Sequence, residues 1–421
     1  MLPAEERRHY HRPSMPSGPA DEAALASPDA GNATSPITAG THIPCVEGIR
    51  ALAASLVVVH HAASLVGPGR AGRLATPAAI MDIGVSIFFV LSGFLIYRPF
   101  AAAHLAGRPP LRARSFLWRR VVRIVPAYWA ALTILWATGS FSLGAEWWRY
   151  YLFLQIYDVF TTLGGIVPAW SLNTEMVFYL FVPVWSLFLR RVVHRGRPGR
   201  PAVELGLIGL IGLGGYASRA LISATDHLWL DLPQQKVTMR EVSFSWFPNN
   251  VDLFAIGMAV AVLMGWSAQE PAVKARLDRI AARAGLWWGA ALVLFVWFAY
   301  RVGPPSINGG YKGFYWQQRQ FTFGLIGLCL LVPAAFGDQG RGLVRQVLQW
   351  RPIVWIGVIS YGLYLWHQDL MERIPDWVDR SPDRIPVLLV VAGAFALGIG
   401  AAAISWYVLE RPVQRRFKRL L

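Results

Sequence analysis

The stretch Pro386–Leu409, PVLLVVAGAFALGIGAAAISWYVL, decides the fold class. Its 24 residues include no charged side chain. Wound as an α-helix they extend about 36 Å, enough to cross roughly 30 Å of hydrocarbon. Ile124–Ala145 is uncharged over a similar length. Buried helices of soluble proteins are interrupted sooner. A soluble chain of 421 residues also carries more charge than the 15% found here beside 55% hydrophobic residues. The chain reads as all-α, a polytopic membrane protein.

Working outward from that span, ten apolar segments suit helices, at roughly 46–66, 79–98, 124–140, 171–189, 203–223, 250–267, 285–302, 320–337, 352–370 and 386–409. The short aromatic stretch Trp147–Tyr157 suits an interfacial segment better than a span. Residues 1–42, rich in Pro, Ala, Ser and Gly, read as a disordered cytoplasmic tail. Residues 43–412 form the transmembrane domain and 413–421 a basic cytoplasmic tail. The connections at 98–123, 190–201, 268–284, 338–351 and 411–419 carry 24 Lys and Arg, against 11 in the alternate set. The positive-inside bias therefore puts both termini in the cytoplasm of a cell whose cytoplasmic membrane holds the protein.

The formal charge of +16 does not indicate nucleic acid, because the basic residues lie in short runs between apolar spans. Two cysteines, Cys45 and Cys329, give neither a disulfide framework nor a metal-ligand cluster. No internal repeat is evident, which argues against an inverted-repeat transporter.

Ionisable residues inside spans are costly, so they mark sites by default. Arg50 and His61 are eleven residues apart, which brings them within about 20° of one helix face and about 16 Å apart along the axis. His60 points off that face. Arg50, Arg119, Arg120 and Arg123 make a cytoplasmic layer in which guanidinium forks suit phosphate oxygens. The plainer alternative is an ordinary positive-inside signal. An outer layer holds His61 and the stripe Ser171, Glu175 and Tyr179, spaced i, i+4, i+8. Gly357, Ser360, Tyr364 and His367 share one face of the ninth helix, either as a polar site or as plain helix packing. Asp82, Arg219 and Asp252, near helix ends, read as solvated at the interface.

A histidine with a carboxylate to orient it, and arginines on the opposite side, suits acyl transfer from a phosphate-bearing carrier to a hydroxyl. The spacing equally allows a proton relay in a transporter or flippase of a glycosylated or acylated molecule. There is no nucleophile elbow, zinc-protease motif or P-loop.

Several motifs narrow this choice. They are Gly48-Ile49-Arg50 with His61; Gly84 with Phe88-Phe89-Val90-Leu91-Ser92-Gly93-Phe94; Arg119-Arg120, Arg123 and Pro126; and Trp170-Ser171-Leu172 followed by Glu175 and Tyr179. Further along stand Ser360-Tyr361-Gly362-Leu363-Tyr364-Leu365-Trp366-His367 and Glu410-Arg411-Pro412. In this order they resemble the integral-membrane acyltransferase family 3, whose members O-acylate surface glycans and some secreted metabolites. The resemblance covers nearly all of 46–412. It implies acyl-CoA, acetyl-CoA above all, as donor, no metal, His61 as catalytic and Arg50 as required. Glu175, if buried, needs a histidine or an arginine on a facing helix as partner, and is expected to act with His61 as a catalytic carboxylate. Arg120 and Arg123 join Arg50 in donor binding, and Tyr179, Ser360, Tyr364 and His367 contact substrate. The expected partners are membrane lipid and a carbohydrate or glycosylated small-molecule acceptor such as a macrolide. The chain departs from the pattern at Glu47, Ser86, Met176 and Val177, which bears on acceptor choice.

Overall fold

The computed structural model describes residues 43–67, 75–109, 111–225, 238–303 and 315–418. The expected tail at 1–42 and the last residues of the basic tail lie outside them. The described chain is helical, with no strand among the described residues. Among the described residues, ten helices of 14 or more residues overlap the ten apolar segments: α1 (Pro44–Val66), α2 (Ile83–Leu105), α3 (Ala113–Ala137), α4 (Trp170–Phe188), α5 (Pro201–Ala224), α6 (Val251–Ser267), α7 (Ala284–Trp297), α8 (Tyr315–Ala335), α9 (Arg351–Glu372) and α10 (Val387–Ser405). Pro44 and Pro201 open α1 and α5, where a missing N–H costs no helical hydrogen bond.

By length and composition, seven of these are fit to cross a membrane. The other three are α6, which is 17 residues long, and α8 and α9, which carry polar groups. Burial explains the difference. Arg319 of α8 pairs with Asp82, and His367 of α9 is fully buried. Lipid contact falls to the outer helices, where Leu210, Leu213, Leu286, Leu292 and Leu388 are exposed.

The bundle closes around backbone contacts made possible by glycine. A Cβ on Gly257 of α6 lands on the Val90 carbonyl of α2, and one on Gly93 lands on the Phe254 carbonyl. Gly265 of α6 lies over Ala101, so α2 and α6 run in the same direction. Gly357 of α9 sits on the Glu47 carbonyl of α1, and Gly48 sits on the Leu348 carbonyl before α9. Gly357 opposite Glu47 and His367 opposite His61 make α1 and α9 parallel, while Gly362 against Ala402 and Gly398 against His367 make α10 antiparallel to α9.

Three local readings change. The third helix starts at Ala113, well before 124, because its arginine-rich first turns are amphipathic and keep Phe116 buried. Arg219 and Asp252 are not solvated at an interface. The Arg219 guanidinium, 1% exposed, donates to both Asp252 oxygens at 3.0 and 2.6 Å and ties α5 to α6. The described part of the expected basic tail is a helix, Arg411–Lys418, with Phe417 against Trp118 of α3. The aromatic stretch forms no span: Trp147–Tyr151 is a single short helix with Trp147 and Trp148 exposed.

Candidate active site

A cavity of about 90 Å³ lies among α1, α2, α3, α4 and α9. Arg50, Arg120, Arg123, Glu175, Tyr179, Ser171, Ser360 and Tyr364 all line it. On α3 and α4 the opposite faces carry exposed apolar side chains such as Trp129, Leu180 and Val184, so the polar faces turn inward.

Arg50 is steadied by its own helix, donating from Nη1 to Glu47 Oε2 at 3.0 Å. This i, i+3 pair was visible in the sequence, where Glu47 was noted only as a departure. The Arg120 guanidinium lies 5.6 Å from the ring centroids of both Phe116 and Tyr179, a cation–π arrangement on each side. Arg120 and Arg123 also line a second cavity, of about 330 Å³, with Trp118, Arg119, Gln414 and Phe417. The same two arginines thus stand between the central chamber and a cleft lined by α3 and the helix Arg411–Lys418.

Of the two partners open to Glu175, a histidine or an arginine, the structure gives it the arginines. Ser92 of α2 donates to its Oε1 at 2.5 Å, and Arg50, Arg120 and Tyr179 are within electrostatic reach. It does not orient His61. The reason is the connection before α4, which drops into the bundle before the helix begins. Tyr364 donates to the Pro168 carbonyl at 2.7 Å and lies 2.8 Å from the Ser171 hydroxyl. Helix α4 therefore starts level with Tyr364, already inside His367. Glu175 is about 7 Å further in, at the depth of the arginines. The two expected layers merge at this point.

His61 and His367 form a separate pair, one helical turn outward of Tyr364. His61 Nδ1 is 3.0 Å from His367 Nε2 and 3.0 Å from the Val57 carbonyl. Nε2 of His61 makes no hydrogen bond to any described residue. His60 turns away, as its position on the helix requires, with Nδ1 3.1 Å from the Ala78 carbonyl. His367, expected to touch substrate, is fully buried and meets His61 instead.

Of the expected substrate contacts, Tyr179, Ser360 and Tyr364 do face the chamber. The Ser360 hydroxyl is buried with no hydrogen-bond partner among the described residues. Ser92 and Tyr361, also on the chamber wall, were not singled out as site residues. Ser92 carries a retrospective signal as a hydroxyl amid seven residues of an apolar helix.

A bundle that crosses a membrane and encloses a chamber of arginines, a carboxylate and hydroxyls beside a histidine pair defines a membrane-embedded group-transfer enzyme. The chain belongs to the acyltransferase 3 family, whose family model, described as an acyltransferase domain, matches residues 43–410. Among curated proteins it is 24% identical over 397 residues to the peptidoglycan O-acetyltransferase OatA of Listeria monocytogenes, covering 89% of this chain and 56% of that protein. It is also 24% identical over 396 residues to YrhL of Bacillus subtilis, covering 89% and 55%. To the O-acetyltransferase OatA of Staphylococcus aureus it is 22% identical over 401 residues, covering 89% and 58%. The chain thus spans a little over half the length of these relatives. No solved structure matches it.

Proposed function

We propose that this chain transfers an acyl group, acetyl in the first instance, from acyl-CoA on the cytoplasmic side to a hydroxyl of a carbohydrate or glycosylated acceptor. Arg120 and Arg123 carry this reading, because they line both the 330 Å³ cleft and the central chamber. A phosphate-bearing donor held in the cleft by guanidinium forks can extend its narrow acyl end into the chamber, which is too small for the nucleotide. Arg50 and Ser360 receive that end: Arg50 as a fixed positive charge, Ser360 as a free hydroxyl donor for the acyl carbonyl oxygen. His61 Nε2 takes the proton from the acceptor hydroxyl while its oxygen attacks the thioester carbonyl. The bond to sulfur breaks, and His61 returns the proton to the departing thiolate. The Listeria relative is named for peptidoglycan, so a peptidoglycan glycan hydroxyl is the first acceptor to test.

Purified protein in lipid nanodiscs, given acetyl-CoA and glycan fragments, is expected to yield fragments heavier by one acetyl group in mass spectra. On the same preparation, Arg123→Ala is expected to raise KM for acetyl-CoA by about tenfold or more, since a charge-assisted hydrogen bond contributes roughly 1.5–3 kcal/mol. Arg123→Lys should recover only part of this, as a point charge lacks the fork. A change confined to the acceptor KM removes the arginines from donor binding.

The same proposal places the arginine layer in the cytoplasm of a cell whose cytoplasmic membrane holds the protein. Both native cysteines are buried, so an introduced one reports alone. Ser142→Cys, in the connection after α3, should react with an impermeant thiol reagent on intact cells, and Ala113→Cys, at the start of α3, only after permeabilisation. The reverse pattern inverts the whole orientation.

A further inference from the structure

The distances around His367 assign it a task other than substrate contact. Gly357 lets α9 lie directly on the α1 backbone, and this close approach brings the two histidine rings to 5.0 Å between centroids. His367 Nδ1 lies 3.0 Å from the Leu363 carbonyl and 3.0 Å from the Tyr364 carbonyl. Carbonyl oxygens only accept, so this nitrogen carries the hydrogen. The neutral ring then has its lone pair at Nε2, 3.0 Å from His61 Nδ1. His61 Nδ1 also faces the Val57 carbonyl and therefore carries a hydrogen as well. With both rings protonated on Nδ1, His61 is left with a bare lone pair on Nε2, the state a general base requires.

We infer that His367 is a positioning residue that holds His61 in its Nε2-basic tautomer and accepts its Nδ1–H when the imidazolium forms. This rests on the reading of His61 as general base. In a serine-protease triad the third member is a carboxylate; here it is a neutral imidazole. Helix geometry supplies the reason. His367 is fully buried, with Gly398 of α10 against its Cβ, so an ionised group there would be a buried charge beside a neutral His61. A neutral ring anchored on two carbonyls of its own helix orients its partner without introducing a buried charge. Glu175, the carboxylate the sequence offered for this task, is taken up by the arginine chamber.

The test compares His367→Leu, His367→Gln and His61→Ala by steady-state kinetics in nanodiscs, with ¹⁵N-histidine spectra of the same samples. His367→Leu is expected to lower kcat by roughly 10²-fold, the low end of what general-base catalysis contributes, with both KM values unchanged. His367→Gln, whose side-chain carbonyl can accept the His61 N–H, is expected to recover most of that loss, which a purely steric role does not predict. The ¹⁵N shifts should show His61 as the Nδ1–H tautomer in the unaltered protein and as a mixture in His367→Leu. Wild-type kcat in His367→Leu, with His61→Ala inactive, overturns the assignment of His367 and leaves the base intact. Activity in His61→Ala overturns the base itself. If His367→Leu does not accumulate, the unaltered protein decides, because an Nε2–H tautomer at His61 overturns the inference.

Discussion

His61→Ala should abolish acyl transfer while the protein still inserts and accumulates, and His60→Phe should retain most activity. The two residues are adjacent, so a general disturbance of α1 affects both, whereas chemistry affects one. Loss of a general base commonly costs about 10²–10⁴ in rate, the largest effect expected anywhere in this chain. The structural cost of the change is small. His61 is only partly buried, and its bonds run to a carbonyl of its own helix and to His367. His60 holds the Ala78 carbonyl, so phenylalanine there loosens the turn at 75–79 but leaves the histidine pair in place. Acylated product is measured by mass spectrometry from membranes with matched protein levels. Loss in His60→Phe together with survival of His61→Ala would falsify the assignment of the helix face.

The second large effect concerns folding. Gly257→Ala is expected to prevent accumulation of the folded protein or to lower its melting temperature sharply. The added Cβ meets the Val90 carbonyl oxygen and the Phe94 amide nitrogen, which are backbone and cannot rotate away. Overpacking a tight site costs about 1–3 kcal/mol even when side chains can adjust, and here α2 and α6 must separate instead. Gly289→Ala in α7 is the control, because its Cβ meets nothing within 4 Å. That change should be neutral or slightly stabilising, since alanine favours helix by up to about 1 kcal/mol over glycine. Fluorescence-detected size exclusion after a temperature ramp separates the two. Equal melting of Gly257→Ala and the unaltered protein rules out the tight α2–α6 contact.

Which residues meet which was harder to read than where the helices lie. Apolar runs placed all ten long helices, yet α3 extends eleven residues earlier than its uncharged part because arginines can wrap an amphipathic first turn. Arg219 and Asp252 looked solvated because each sits near a helix end, and no local pattern showed that α5 and α6 would bring them together. Which of its two open partners, a histidine or an arginine, Glu175 would meet was closed to the sequence for a related reason. Its depth depends on how far the connection before α4 descends into the bundle, and irregular chain has no period from which to read a depth.

By itself the sequence determined what a single helix can encode. The uncharged stretch at Pro386–Leu409 requires a membrane, and a spacing of eleven puts Arg50 and His61 on one face and turns His60 away. A spacing of i, i+3, i+7 and i+10 aligns Gly357, Ser360, Tyr364 and His367. These follow from helical period and hydrocarbon thickness, which are local properties. The tertiary structure alone decided that the first face meets the second, that His367 and not Glu175 stands at His61 Nδ1, and that Glu175 joins Arg50, Arg120 and Arg123 around one chamber. Those pairings depend on the axial offset between helices far apart in the chain. Backbone contacts at Gly48, Gly357 and Gly257 set that offset, and it exists only once the bundle has closed.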